Sequence, residues 1–251
     1  MNYYIITGAS RGLGRAIAEN LLSKDNHLFC ISRRMNDDVI TEAGLKDCKI
    51  DYFEYDFNFI EEIDMLISTI FERINFSKAQ TVCMINNAAT LNPIKPVGKY
   101  PSFEIISSMN VNLIAPMLLI SEFIRRTEEV SCNKMIVNIS SGAGKHPYYG
   151  WGCYCSAKAA LDMFTGCVGL EQSNSPNPVK IISFNPGIMD TDMQSEIRQS
   201  REEDFEQVER FIKLKEQGKL KSPDFVAKKL LELIHNNETK SGMLYDINEL
   251  Q

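Results

Sequence analysis

Short apolar runs punctuate the chain, and between them apolar residues return every three or four positions. The runs are Tyr3 to Thr7, His27 to Ser32, Lys49 to Glu54, Thr81 to Asn86, Met135 to Ser140, Val179 to Phe184 and Met243 to Ile247. A short, nearly continuous apolar run bounded by turn formers marks a strand buried on both faces, and the 3.6-residue period between runs marks helices with one apolar stripe. Strands alternating with helices predict an α/β fold: one doubly wound, seven-stranded parallel sheet flanked by helices and joined by right-handed crossovers. Its ligand crevice lies beyond the carboxyl ends of the strands.

Punctuation refines this picture. Gly8 to Gly14 reads as a turn opening a helix that runs to about Lys24, and Ser222 followed by Pro223 starts the last helix as N-cap and first-turn residue. The charge-dense stretch from Arg198 to Lys221 is the least strand-like part of the chain. It reads either as a helical excursion over the crevice, a substrate lid around 188–218, or as a solvated helix with no gating role. With no linker, repeat or low-complexity block to divide it, the chain is expected to be one domain over 1–251.

Composition narrows the class. The 251 residues are 44% hydrophobic and 24% charged with a net charge of −6, so the surface has no general attraction for nucleic acid or anionic lipid. Seven cysteines behind an opening MNYYIITGAS, which has no basic region, predict free thiols in a reducing compartment and hence a cytoplasmic protein. The least polar long segment, Ile105 to Ser121, carries Asn110, Asn112 and Pro116 and reads as falling short of a membrane span. Cys153 and Cys155 lack a second pair or a histidine at ligand spacing, so no metal is assigned.

Candidate chemistry concentrates between Asn138 and Lys158. Tyr154 and Lys158 are four apart, on one face of a helix, and Ser141 lies upstream. A phenol with a pKa of about 10 is lowered by a neighbouring ammonium toward use as an acid near neutrality, and a serine hydroxyl aimed at the same point can hold a carbonyl oxygen. At the other end of the crevice, the turn Thr7-Gly-Ala-Ser-Arg-Gly-Leu-Gly14 would let a pyrophosphate approach backbone N–H groups at a helix start. The second strand ends in Ser32, Arg33 and Arg34 where an NAD site commonly carries an acid. Guanidinium groups there, with Arg11 reaching from the turn, favour a phosphate and therefore NADPH over NADH.

Taken together, TGASRGLG at 7–14, Asp56, Asn86-Asn87-Ala88-Ala89, Asn112, Ser141, Tyr154, Lys158 and Pro186-Gly187 with Thr191 resemble the short-chain dehydrogenase/reductase family. The family usually has glycine where Ala89 stands. The resemblance implies a Rossmann-type sheet, a nicotinamide cofactor and hydride transfer at a carbonyl carbon. It implies a catalytic set of Asn112, Ser141, Tyr154 and Lys158, with the Asn112 main-chain carbonyl holding a water beneath the lysine. It also implies cofactor contacts from Gly8, Ser10, Arg11, Gly12, Leu13, Gly14, Arg33, Arg34, Asp56, Phe57, Asn87, Ala88, Tyr154, Lys158, Pro186, Gly187, Ile188 and Thr191. For the asparagine the chain adds its own reason: Pro116, four residues on, has no N–H to bond that carbonyl.

A narrower likeness, carried by GAGKHPYYGWGCYCSAKAA and NPGIMDTDMQSEIRQS, is to bacterial reductases that form (S)-benzoin from benzil, and more loosely to sepiapterin reductases. It implies NADPH-dependent reduction of one carbonyl of a vicinal diketone. Tyr148, Tyr149 and Trp151 would then wall an aromatic substrate, or else pack into the fold. Met189 and Met193 would line a mobile lid, and Asp246 falls where a pterin-anchoring acid, or a structural aspartate, is found. Two other readings remain, a pterin side-chain reductase and a non-enzymatic dinucleotide-binding redox sensor. The resemblance also implies a homo-oligomer, dimer or tetramer, paired through the long helices around Asn112 and after Tyr154.

Overall fold

The computed structural model describes residues 1–236 and 238–250. Seven strands, β1 (Asn2–Thr7), β2 (Asn26–Ser32), β3 (Lys49–Glu54), β4 (Thr81–Asn86), β5 (Asn133–Ile139), β6 (Lys180–Asn185) and β7 (Leu244–Asp246), begin and end within two residues of the apolar runs. They form one parallel sheet in the order β3-β2-β1-β4-β5-β6-β7. The helices are α1 (Gly12–Asn20), α2 (Asp37–Leu45), α3 (Ile63–Phe71), α4 (Ser102–Met109), α5 (Ala115–Thr127), α6 (Gly152–Gln172), α7 (Asp192–Arg198), α8 (Val208–Glu216) and α9 (Pro223–His235).

Alternation along the strands fills two cores. Tyr4, Ile6, Leu28 and Cys30 pack with Ile17 of α1 and Leu230 of α9, while Tyr3, Ile5, Phe29 and Ile31 pack on the opposite face with Ile67 of α3 and Phe123 of α5. Each fully buried side chain of this size contributes about 1.5–3 kcal/mol, and a one-residue slip would exchange the two faces, so register is strongly set. Helix α1 stops at Asn20 rather than near Lys24 because the Asn26 side-chain amide donates to the Leu21 carbonyl at 2.7 Å and turns Leu21 and Leu22 into the core. At the start of α9 the Ser222 hydroxyl accepts from Phe225 N at 3.2 Å, with Pro223 in the first turn, as expected.

From Ser102 to Thr127 the chain is helical throughout, with a π turn at Asn110–Ile114 joining α4 to α5. Pro116 cannot donate to the carbonyl four residues back, and the wider turn absorbs the mismatch. This helix is long and apolar enough to cross a membrane by length and composition, which corrects the expectation drawn from Ile105 to Ser121 alone. Much of the apolarity serves packing: Ala115, Leu119, Ile120 and Phe123 belong to the second core.

Candidate active site

Strand order reverses at β1, whose neighbours are β2 on one side and β4 on the other, so the crossovers leave the sheet in opposite directions and open a crevice at the carboxyl ends. A cleft of about 1130 Å³ lies there. Its floor at β1 is the glycine turn. Gly8 and Gly12 have φ of 70° and 55°, and a Cβ on Gly14 would fall 2.2 Å from the Gly8 carbonyl oxygen. Gly14→Ala therefore has to displace backbone, and we expect it to lower stability by about 1–3 kcal/mol. An unchanged melting temperature would contradict this. The turn is clamped from β4: the Thr7 hydroxyl accepts from Asn87 N and Ala88 N at 2.9 Å each, and the Asn87 amide donates to the Thr7 and Gly8 carbonyls at 3.0 and 3.2 Å. Asn87 thus shapes the turn, its side-chain N–H groups already engaged.

Beyond β5, Ser141 caps a 3-10 turn at Gly142–Gly144, its hydroxyl accepting from Ala143 N at 3.2 Å. Tyr154 and Lys158 project from the first turns of α6 into the same region, and all three line the cleft. Both α6 side chains are almost wholly buried, Tyr154 at 6% and Lys158 at 3% exposure. Burial decides their protonation. It pushes the Tyr154 phenol up to about 12 against a hydrogen bond from Ser141 that pulls it down. It brings Lys158 down from 10.5 to about 8, opposed by the carboxylate of Asp162.

The expected lowering of the phenol by the ammonium is absent for a geometric reason. Lys158 Nζ donates to the Ile139 carbonyl at 2.7 Å and stands 5.7 Å from the centre of the Tyr154 ring. A phenol near 12 holds its proton at neutral pH and is in the donor form. Asn112, fully buried in the π turn, uses its side chain on the backbone of Thr90, accepting from Thr90 N at 3.0 Å and donating to Thr90 O at 2.8 Å. It holds in place the loop that follows β4.

At the other end of the cleft Arg33 and Arg34 are exposed and, among the described residues, form no ion pair. Their loop is held by the Ser32 hydroxyl donating to Arg34 O at 2.7 Å and is tied to the glycine turn by Asn36, whose amide donates to Ser10 O at 2.7 Å. Asp56 turns its carboxylate onto Asn58 N at 3.0 Å, and Phe57 is buried beside it with Tyr55 against its edge. Arg11 also lines the cleft but is turned toward α7, pairing with Asp192 at 3.0 Å and Glu196 at 3.7 Å.

The remaining wall comes from the segment between β6 and α9, which carries Pro186, Gly187, Ile188, Met189, Thr191 and Met193 into the cleft lining. Trp151 is not an open wall: it stacks on Phe205 at 4.5 Å and 15° and is edged by Phe211 and Tyr154. Tyr148 packs on its other side at 5.0 Å. A buried aromatic pair contributes about 0.5–1.5 kcal/mol beyond its area, against about 0–1 for an exposed ion pair, so this cluster is what seats α7 and α8 over the cleft.

Phe205 and Phe211 were not singled out from the sequence. Their signal was present as the three- and four-residue spacing of Phe205, Val208, Phe211 and Ile212 within the charged stretch. Four candidates do not line the cleft: Gly14, Asn112, Tyr149 and Asp246. Tyr149 is solvent-exposed, and both Asp246 oxygens are engaged, one by the Asn185 amide at 2.7 Å and the other by Asn248 N and its side-chain amide at 2.8 Å.

A model described as short chain dehydrogenase matches residues 2–202. A benzil reductase, (S)-benzoin forming, from Bacillus cereus is 42% identical over 249 residues, covering 99% of this chain and 100% of that protein. Sepiapterin reductase from Mus musculus is 31% identical over 252 residues, covering 96% of this chain and 95% of that protein. Among solved structures, the KRED1-Pglu enzyme superposes with a TM-score of 0.82 at 26% identity, covering 97% of this chain and 100% of that one.

Proposed function

The chain belongs to the short chain dehydrogenase family, and from that premise we propose that it is an NADPH-dependent carbonyl reductase acting on one carbonyl of a vicinal diketone, with Tyr154 as proton donor. One observation carries the reading: a buried, protonated phenol, a serine hydroxyl and a lysine meet in a cleft whose far end carries two exposed arginines without an ion pair among the described residues. The glycine turn and the exposed guanidinium groups suit a dinucleotide with an extra phosphate, which Gly8, Ser10, Gly12, Leu13, Gly14, Arg33 and Arg34 would hold. Asp56 and Phe57 would lie at the adenine, Ala88 near the ribose, and Gly187, Ile188 and Thr191 at the nicotinamide side.

When bound, the reduced nicotinamide supplies a hydride for the carbonyl carbon. Ser141 holds the carbonyl oxygen, and Tyr154 gives that oxygen its phenolic proton, so C=O becomes CH–OH. Lys158, 5.7 Å from the ring centre, would hold the nicotinamide ribose and lend the phenolate left behind a nearby charge without a hydrogen bond to it, and the Asn112 main-chain carbonyl would support a water from which the proton is replaced. A second carbonyl next to the first withdraws electrons from the carbon under attack, and the apolar lining at Ile188, Met189 and Met193 suits aromatic substituents.

Consumption of NADPH across diketones, pterins and simple ketones tests the assignment. Turnover fastest with pterins would favour a pterin reductase, and no consumption with any class would favour a redox-sensing binding module. The engagement of Asp246 with Asn185 and Asn248 weighs against its anchoring a pterin. For cofactor choice, Arg33→Asp is expected to weaken NADPH binding about tenfold or more while leaving NADH nearly unchanged, since a charge-assisted contact contributes about 1.5–3 kcal/mol. Equal loss for both nucleotides, measured by titration, would remove the NADPH assignment.

Exposed Phe103 and Ile106 on α4 and Met163 and Leu170 on α6 support pairing of subunits through these helices, to be measured by light scattering. All seven cysteines are free, as suits the reducing cytoplasm we assign.

A further inference from the structure

Arg11 sits in the turn that would hold the nucleotide's phosphates, yet its guanidinium is turned to two carboxylates of the neighbouring helix, Asp192 at 3.0 Å and Glu196 at 3.7 Å. The helix α7 that carries them begins directly over the turn. Thr191 caps it, and the methyl group of Thr191 lies 3.4 Å from where a Cβ on Gly12 would be. The turn is also tied to the loop bearing Arg33 and Arg34 through the Asn36 to Ser10 bond at 2.7 Å. Arg11 therefore stands between an arginine-rich phosphate end and an acidic lid base, with its side chain 55% exposed. A guanidinium engaged by two carboxylates offers fewer N–H donors and less charge to a phosphate.

Building on the NADPH reading, we infer that Asp192 and Glu196 compete with the nucleotide's 2′-phosphate for Arg11, so that a phosphorylated nucleotide draws Arg11 off α7 and loosens the lid base, whereas an unphosphorylated one leaves that contact in place. Asp192 and Glu196 are then specificity-determining residues that never touch the substrate. They set how tightly the phosphorylated nucleotide is held and link its presence to the position of α7. The lid itself remains seated by Trp151 on Phe205, so the exchange shifts α7 without unseating the aromatic cluster.

The test is binding without turnover, using the full chain and the oxidised nucleotides NADP⁺ and NAD⁺, which differ only in the 2′-phosphate. In D192N/E196Q the affinity for NADP⁺ is expected to rise about three- to tenfold, the scale of one exposed double ion pair, and that for NAD⁺ to stay within about twofold. Trp151 is the single tryptophan of the chain and shares its apolar cluster with Ile197 of α7, so its emission reports a shift of α7 even while its stack on Phe205 holds. Saturating NADP⁺ should change it more than saturating NAD⁺ in the wild type, and the difference should shrink in the double variant. Equal shifts for both nucleotides, or weaker NADP⁺ binding in the variant, overturn the competition. Such a result, with Arg33→Asp still weakening NADP⁺ and sparing NAD⁺, leaves the cofactor assignment standing. Wild-type protein that binds both nucleotides equally, with Arg33→Asp unselective, overturns both. The substituted side chains are exposed and outside the core, so loss of fold is not expected to obscure the comparison.

Discussion

Tyr154→Phe is expected to lower the rate of carbonyl reduction by about a thousandfold, the middle of the range for a general acid, while the fold and nucleotide affinity persist. The ring is what packs: it stands edge-on to Trp151 at 5.7 Å and belongs to the cluster with Phe205 and Phe211. Phenylalanine keeps that contact and removes only the hydroxyl. In the proposed reaction the hydroxyl is the acid, and burial, pushing it up to about 12, keeps the proton on the oxygen across the neutral range. Single-turnover kinetics with prebound NADPH separate the step from binding. A rate within tenfold of wild type would rule out Tyr154 as the acid.

Lys158→Met should stabilise the protein near neutral pH while reducing turnover by about a hundredfold or more. Below about 8 the buried ammonium is protonated in both folded and unfolded chains, and the folded state bears its full desolvation penalty. The depression from 10.5 to about 8 corresponds to about 3 kcal/mol. Losing the bond to the Ile139 carbonyl offsets about 1 kcal/mol of that, leaving a net gain of about 1–2 kcal/mol for methionine. As pH rises from 8 toward 10.5 the folded lysine releases its proton first, the penalty shrinks, and the advantage of methionine fades. Denaturant unfolding at neutral pH and at about pH 10 reads this out, and a stability difference independent of pH would contradict it. The same titration predicts that wild-type reduction slows as pH rises through about 8, while the phenol remains protonated.

These expectations separate what spacing along the chain conveys from what it does not. The Tyr154 and Lys158 pairing on one helix face, the glycine turn after β1 and the Ser222–Pro223 helix start were legible because each depends on backbone geometry within a few residues. The strand boundaries were legible to within two residues because a strand covered on both faces must be apolar almost without interruption. Along the chain the apolar stretch around Asn110 falls short of a membrane span because its polar residues break the run. In the fold the same residues lie within one helix from Ser102 to Thr127, with Asn112 satisfied by a loop 22 residues away.

The sequence by itself determined the sheet, the glycine turn and the pairing of Tyr154 with Lys158 on one helix face, since periodicity and turn chemistry are local properties of the chain. Only the tertiary structure decided which partner each group has. Arg11 meets carboxylates 181 residues on, Asp246 is taken by Asn185 61 residues back, and Trp151 lies against Phe205. It also decided that burial, rather than the neighbouring ammonium, sets the phenol's proton affinity, because the lysine faces the Ile139 carbonyl. Desolvation and partner choice are functions of what surrounds an atom in space, and residues far apart in the chain supply most of those surroundings.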